Sequence, residues 1–249
     1  MSDGADMAEP AGALAASRTQ DTAPPSVRLE DVARLMTWLS PAFPVGGFTY
    51  SHGLEWVVEQ RTVRDYATLL GWMQDLLLHG APRTDLIFLA EAWRAMRAGD
   101  AARLDRVVEL AAAFVPSAER RLETLAQGKA FLVAARAVWP KPALDRFETV
   151  DIAYPVAVGC AAGAHGLDLS VTLRVFTQAF VANIVSAGVR LVPLGQTDGL
   201  RVLAHLEPLI AQVADGAGGA TLDDIGGAAI VADIASMRHE TQYTRLFRS

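Results

Sequence analysis

The sequence predicts an all-α fold, a single-domain bundle of about ten helices, on three observations. Apolar residues recur at spacings of three and four along most of the chain. No run of four or more residues alternates convincingly between apolar and polar, and no fixed repeat appears. The periodic stretches are also bracketed by capping residues and by Gly or Pro stops.

Residues 1–27 read as a disordered arm, rich in Ala, Asp, Ser, Thr and Pro and closing on Pro24-Pro25-Ser26. Residues 28–238 then form the helical domain, and 239–249 a C-terminal tail suited to partner binding. Leu29, Val32, Leu35, Met36 and Leu39 define a first helix, stopped at Ser40-Pro41. Ser51 is placed to cap a second helix that runs through Glu59. A third runs from Val63 to His79, with Leu69, Leu70, Met73, Leu76 and Leu77 inward, and Gly80 and Pro82 end it. Arg83 to Ala98 closes on Gly99, Asp100 to Val115 on Pro116, and Ser117 to Val138 on Trp139-Pro140. A short helix is expected near Ala143, then helices over Pro155 to His165, Ser170 to Arg190, Gly195 to Val213 and Asp223 to Arg238. The Gly-rich run Ala214 to Ala220 reads as the loop before the last of them.

Ala157, Gly159, Cys160, Ala161, Ala162, Gly163 and Ala164 make one uncharged helix thin on every side. Such a helix belongs in the middle of the bundle, where neighbours approach closely.

Composition narrows the function. With 51% hydrophobic residues the chain can close a core. Lys plus Arg is 22 against 28 Asp plus Glu, a formal charge of −6, which argues against general nucleic-acid binding. Lys129 and Lys141 are the only lysines. Arginine suits bidentate partner contacts, but an Ala-rich, Arg-rich chain also follows from base composition alone. Cys160 is the single cysteine, so no internal disulfide or thiolate cluster is available, and a reducing, cytoplasmic location is expected. Asp3, Asp6 and Glu9 stand where a secretory signal would be basic. The uncharged stretches from Ile152 to Leu167 and from Val175 to Val189 both fall short of about 20 apolar residues, so both read as buried helices, not membrane spans.

Motifs for chemistry are missing. His52, His79, His165, His205 and His239 show no ligand spacing among themselves, so no local metal site is expected. Gly128-Lys129 lies outside a phosphate-loop context, and His239-Glu240 lacks a second histidine because position 243 is Tyr243. No GxSxG elbow or GxGxxG turn occurs, and no catalytic residue is assigned.

Two segments stand out. Ser40 to Glu55 holds Pro41, Pro44, Gly46 and Gly47 among Phe43, Phe48 and Tyr50. Its glycines permit positive φ or a close approach, and its aromatics either anchor a partner or plug the end of the bundle. The ending, from Met237 through His239, Tyr243, Arg245, Leu246, Phe247 and Arg248, interleaves cations with aromatic and aliphatic residues. It either orders on a partner or folds back on its own domain.

These two segments, with Tyr154-Pro155-Val156-Ala157-Val158-Gly159 and Val189-Arg190-Leu191-Val192-Pro193-Leu194-Gly195-Gln196-Thr197-Asp198-Gly199, resemble the urease accessory protein UreF family, in order, over residues 30–249. The arm and the Gly-rich run near Gly216 to Gly219 depart from it. The resemblance implies an all-α homodimer, a non-catalytic adaptor that bridges UreD (also called UreH) and the GTPase UreG during nickel insertion into apo-urease. No cofactor is then bound stably, and nickel is handled by the complex. On this reading Phe48, Tyr50, His52, His239, Tyr243, Arg245, Leu246, Phe247 and Arg248 make partner-binding contacts. Pro44, Gly46 and Gly47 shape the loop, while Gly195, Gln196 and Asp198 tie a helix start to its neighbour. The alternative is that one arginine enters UreG and activates or gates GTP hydrolysis.

Overall fold

The structure is a computed structural model that describes residue 1 and residues 27–248; the arm expected at 1–27 otherwise lies outside the described residues. It is all-α, with no strand among those residues. Ten α-helices are seen there: α1 (Leu29–Trp38), α2 (Leu54–Glu59), α3 (Tyr66–His79), α4 (Ala81–Ala98), α5 (Ala101–Ala113), α6 (Ala118–Val138), α7 (Tyr154–His165), α8 (Leu169–Leu191), α9 (Gln196–Gly219) and α10 (Ile230–His239). Three short 3-10 turns join them, at Gly47–Thr49, Pro142–Phe147 and Leu222–Asp224.

Local chemistry fixes most starts. Asp65, Asp100, Ser117 and Asp168 each accept a backbone N–H of the first turn of α3, α5, α6 and α8. Pro82 and Pro155 occupy first turns, where a missing N–H costs nothing. Gly53, in the left-handed region, stands directly before α2, and the Ser51 hydroxyl two residues earlier accepts the first-turn N–H of Glu55 at 3.4 Å.

The centre of the bundle is the pair α4 and α7. From Pro155 to Gly163 every residue of α7 is buried, as its small side chains require. A Cβ added at Gly159 would stand 2.3 Å from the carbonyl oxygen of Leu89, so the two backbones touch there. α6 covers another side of α7, and α8 and α9 pack on each other and against α4. Among the described residues, α8 is the one helix long and apolar enough to cross a membrane by length and composition. The charge-free run from Val175 to Val189 is shorter than the helix that contains it. In the bundle, α8 packs against α9, α4 and α2.

Two expected boundaries are corrected. The Gly-rich run is helical: α9 continues through Pro208 and on to Gly219. Ala214 and Ala217 face the core, and Arg94 donates to the carbonyl oxygens of Gly218 (2.5 Å) and Ala220 (2.8 Å), so tertiary contacts outweigh glycine's low helix propensity. The last helix starts at Ile230, not Asp223. Thr221 and Asp224 close a capping box on a single 3-10 turn, and the chain runs on without helix through Ala229.

Candidate functional site: the loop and tail junction

The chain leaves α1 through an aromatic loop whose end, at Gly53, meets α10. Gly53 has φ +76°, and an added Cβ would stand 2.8 Å from the backbone nitrogen of Ser236. Only a residue without Cβ fits both conditions. Gly46, at φ +71°, precedes the 3-10 turn Gly47–Thr49, whose Thr49 hydroxyl donates to the Gly46 carbonyl at 2.8 Å. α8 holds this turn from outside, because Asn183 donates to the Gly47 carbonyl (2.9 Å) and Arg190 to that of Phe48 (3.1 Å). Pro44 is exposed. Phe43 is buried and stacks on Trp139 and Phe131, so one of the loop's aromatics plugs the bundle.

The tail folds back onto this loop. The Glu55 carboxylate of α2 accepts the backbone N–H groups of Leu246 (2.6 Å) and Phe247 (3.0 Å), and the Arg248 N–H donates to the Thr49 carbonyl (2.7 Å). His239, fully buried at the end of α10, sits between two carboxylates, with Nε2 3.0 Å from Glu55 and Nδ1 2.7 Å from Glu119. Arg245 pairs with the other oxygen of Glu119. Glu240 turns to the start of α6 and accepts the Ala118 N–H at 2.9 Å, an anion at a helix N-terminus. The Phe247 ring is buried beneath Arg190, whose guanidinium carbon lies 4.5 Å from the ring centroid.

Loop and tail residues named from the sequence therefore share one junction, but they differ in exposure. Tyr50, His52, His239 and Phe247 are buried, and burial raises the Tyr50 phenol above its ordinary range. Phe48, Tyr243 and Leu246 are exposed, and Arg245 and Arg248 lie on the tail between them. Exposed Ile230, Ile234 and Met237 on α10 extend the apolar surface at helical spacing.

Gly195, Gln196 and Asp198 stand apart at the start of α9. Gly195 has an ordinary φ of −76° with nothing near an added Cβ, so glycine is not required there. Asp198 pairs with Arg201 of its own helix at 2.9 Å, not with a neighbouring element.

Beneath the loop lies a buried charge cluster. His52, itself at φ 55°, has Nε2 3.0 Å from Glu123, and Arg120 pairs with the same carboxylate. Burial, then the Arg120 charge, pushes the His52 imidazole down. Burial alone would raise Glu123, but Arg120 and His52 hold it at about 2. Asp85, 3.8 Å from Arg120, is pushed up to about 6 by burial. Asp85 and Arg120 stand between a cavity of about 360 Å³ and a mainly apolar groove of about 460 Å³. Among the described residues no group of three or more His, Cys, Asp or Glu side chains is arranged to hold a metal ion.

Glu55, Glu119, Arg190 and the Arg120–Glu123 pair were not expected as site residues. Glu55, Glu119 and Arg190 find partners far away in the chain, 184 positions in the case of Glu55 and His239, while Arg120 and Glu123 stand one turn apart on α6 and meet His52 from 68 positions away in the case of Arg120.

Known proteins are similar to this chain in sequence over most of its length. The UreF family model matches residues 63–207. A protein of Rhodopseudomonas palustris strain HaA2 is 58% identical over 219 residues, covering 87% of this chain and 92% of its own. One of Bradyrhizobium sp. strain BTAi1 is 56% identical over 218 residues, covering 87% and 91%. Another, of R. palustris strain BisB18, is 49% identical over 241 residues, covering 95% and 100%. All three are named urease accessory protein UreF.

Proposed function

The chain belongs to the UreF family of urease accessory proteins, and from that premise we propose that it works as a non-catalytic adaptor in the cytoplasm. It joins UreD (UreH) to the GTPase UreG in the complex that delivers nickel to apo-urease, and it does so as a homodimer. Nickel is cargo of the assembly on this reading.

One observation carries the proposal: a tail of cations and aromatics is pinned by buried carboxylates so that its outward residues form a surface with α10. Glu55 and Glu119 fix the backbone and the Arg245 side chain, while Tyr243 and Leu246 of the tail and Ile234 and Met237 of α10 are exposed. A preordered surface of this kind spares a partner the entropy of ordering the segment. Exposed tyrosine and leucine beside arginine supply anchor chemistry. The buried members, His239 and Phe247, serve binding by holding the tail in place.

The test is co-expression with UreD, UreG and the urease subunits, followed by pull-down. Deleting residues 240–249 abolishes recovery of at least one accessory partner. Unchanged recovery of both overturns the tail assignment, and light scattering that finds only monomer in the purified chain and its complexes overturns the dimer.

A further inference from the structure

A second surface lies at the opposite end of α8 from the tail junction. α8 runs from Leu169 to Leu191, and its 1.5 Å rise per residue places Arg190 about 30 Å from the start of the helix. Just before that start, α7 ends at His165 and Gly166. Three cations from separate elements lie near this turn. Arg34 of α1 has Nη1 3.1 Å from His165 Nδ1. A Cβ added at Gly166 would stand 3.4 Å from Arg97 Nη1 of α4, so that guanidinium lies against the same turn. Lys141, beyond α6, acts on His165 with its charge.

None of the three forms an ion pair among the described residues. Ten other arginines do, from Arg28 with Asp31 to Arg245 with Glu119. In a chain of net charge −6, Arg34, Arg97 and Lys141 make no close ion pair at this end, although the Asp31 carboxylate feels the Arg34 charge and Asp168 caps the start of α8. Burial first, then Arg34 and Lys141, push the His165 imidazole down. Its Nδ1 accepts from Arg34 while Nε2 donates to the Trp139 carbonyl at 3.2 Å, and this contact holds the guanidinium in place. Half-buried Trp93 lies beneath Arg97, whose guanidinium carbon is 5.9 Å from the ring centroid, and half-buried Trp139 packs its ring on Trp38 and Phe43.

We propose that Arg34, Arg97 and Lys141, set around the end of α7, form a docking surface for a carboxylate-rich peptide segment of a protein partner. Charge complementarity selects the occupant: guanidinium groups take carboxylates in bidentate fashion, and the Trp93 indole receives the methylenes of glutamate side chains. A nucleic acid is the poorer fit, because the rest of the chain repels a long polyanion.

The experiment titrates the full chain into a fluorescein-labelled hexaglutamate peptide at low salt, read by anisotropy, with circular dichroism confirming an unchanged helical signal in each variant. Saturable binding is expected, weakened at least tenfold in the triple variant R34Q/R97Q/K141Q, weakened again by added salt, and unchanged in R64Q, which removes an exposed cation elsewhere. Failure to bind, equal binding by the triple variant, or equal binding of a hexaglutamine peptide overturns the proposal. Tighter binding of a duplex RNA than of the peptide also overturns it, as does a several-fold gain on deleting residues 1–26, which would make the chain's own acidic arm the occupant.

Discussion

Glu55 and Phe247 lie 192 positions apart in the chain, yet the Phe247 backbone N–H donates to the Glu55 carboxylate at 3.0 Å, and the Leu246 N–H uses the other oxygen. With His239 on the same group, one buried carboxylate satisfies three donors from the tail and α10. Glu55→Ala strands all three, at a cost of about 3 kcal/mol for breaking a buried charged network. The tail is then released, so trypsin should cut after Arg238 and Arg245 many times faster than in the wild type. Equal cutting rates would show that Glu55 does not hold the tail.

Gly53 and Gly46 share a left-handed backbone but not an environment. Alanine at Gly46 meets nothing within 4 Å, so Gly46→Ala costs about 1 kcal/mol of backbone strain. Alanine at Gly53 adds a 2.8 Å clash with the backbone of Ser236, so α2 and α10 must separate, and the expected loss is at least about 3 kcal/mol. Urea unfolding of the two variants gives the comparison, and equal midpoints would refute the close approach of loop and helix.

The helices were readable in the sequence because their signals are local. Asp100 and Ser117 stand before apolar periodicity, and the small residues from Ala157 to Ala164 announce a helix that touches its neighbours, whereas the third helix, expected from Val63, starts at Tyr66 behind the Asp65 cap. The end of α9 was unreadable because Arg94, more than 120 positions upstream, completes it by donating to the carbonyl oxygens of Gly218 and Ala220, a contact that no local rule marks. The loop and tail were legible as unusual segments. That they meet, and that His239 and Phe247 turn inward while Tyr243 and Leu246 turn out, depends on Glu55 and Glu119, whose partners are set by the assembled bundle alone.

Asp85 gives a pH dependence with a definite sign. Its folded-state pKa of about 6 lies above the ordinary 3.8, so its contribution to stability falls as pH rises from about 4 to 6 and stays low above that. His52 runs the other way, since its depressed pKa removes stability as pH falls below the ordinary 6.5. Glu123, held at about 2, protects the fold above its ordinary 4.5 and loses that protection toward pH 2. Comparison of Asp85→Asn with wild type isolates the first effect: the variant is the more stable at pH 7.5, and the gap narrows toward pH 4. A variant less stable than wild type at pH 7.5, or a gap independent of pH, contradicts the assignment.

Tyr243 and Phe247 separate binding from scaffolding within a single tail. Tyr243 is fully exposed and Leu246 is 67% exposed, so their alanine variants should leave unfolding within about 0.5 kcal/mol of wild type. If the outward face meets a partner, each nevertheless lowers recovery of UreD or UreG in the pull-down, because truncating an anchor costs affinity without cost to the free fold. Phe247→Ala empties a buried site beneath Arg190, about 3 kcal/mol of local packing, and should fail in both assays at once by letting the tail go. Recovery that is normal in the Tyr243 and Leu246 variants and lost only in the Phe247 variant would move the recognition surface off the outward face and onto whatever the docked tail covers.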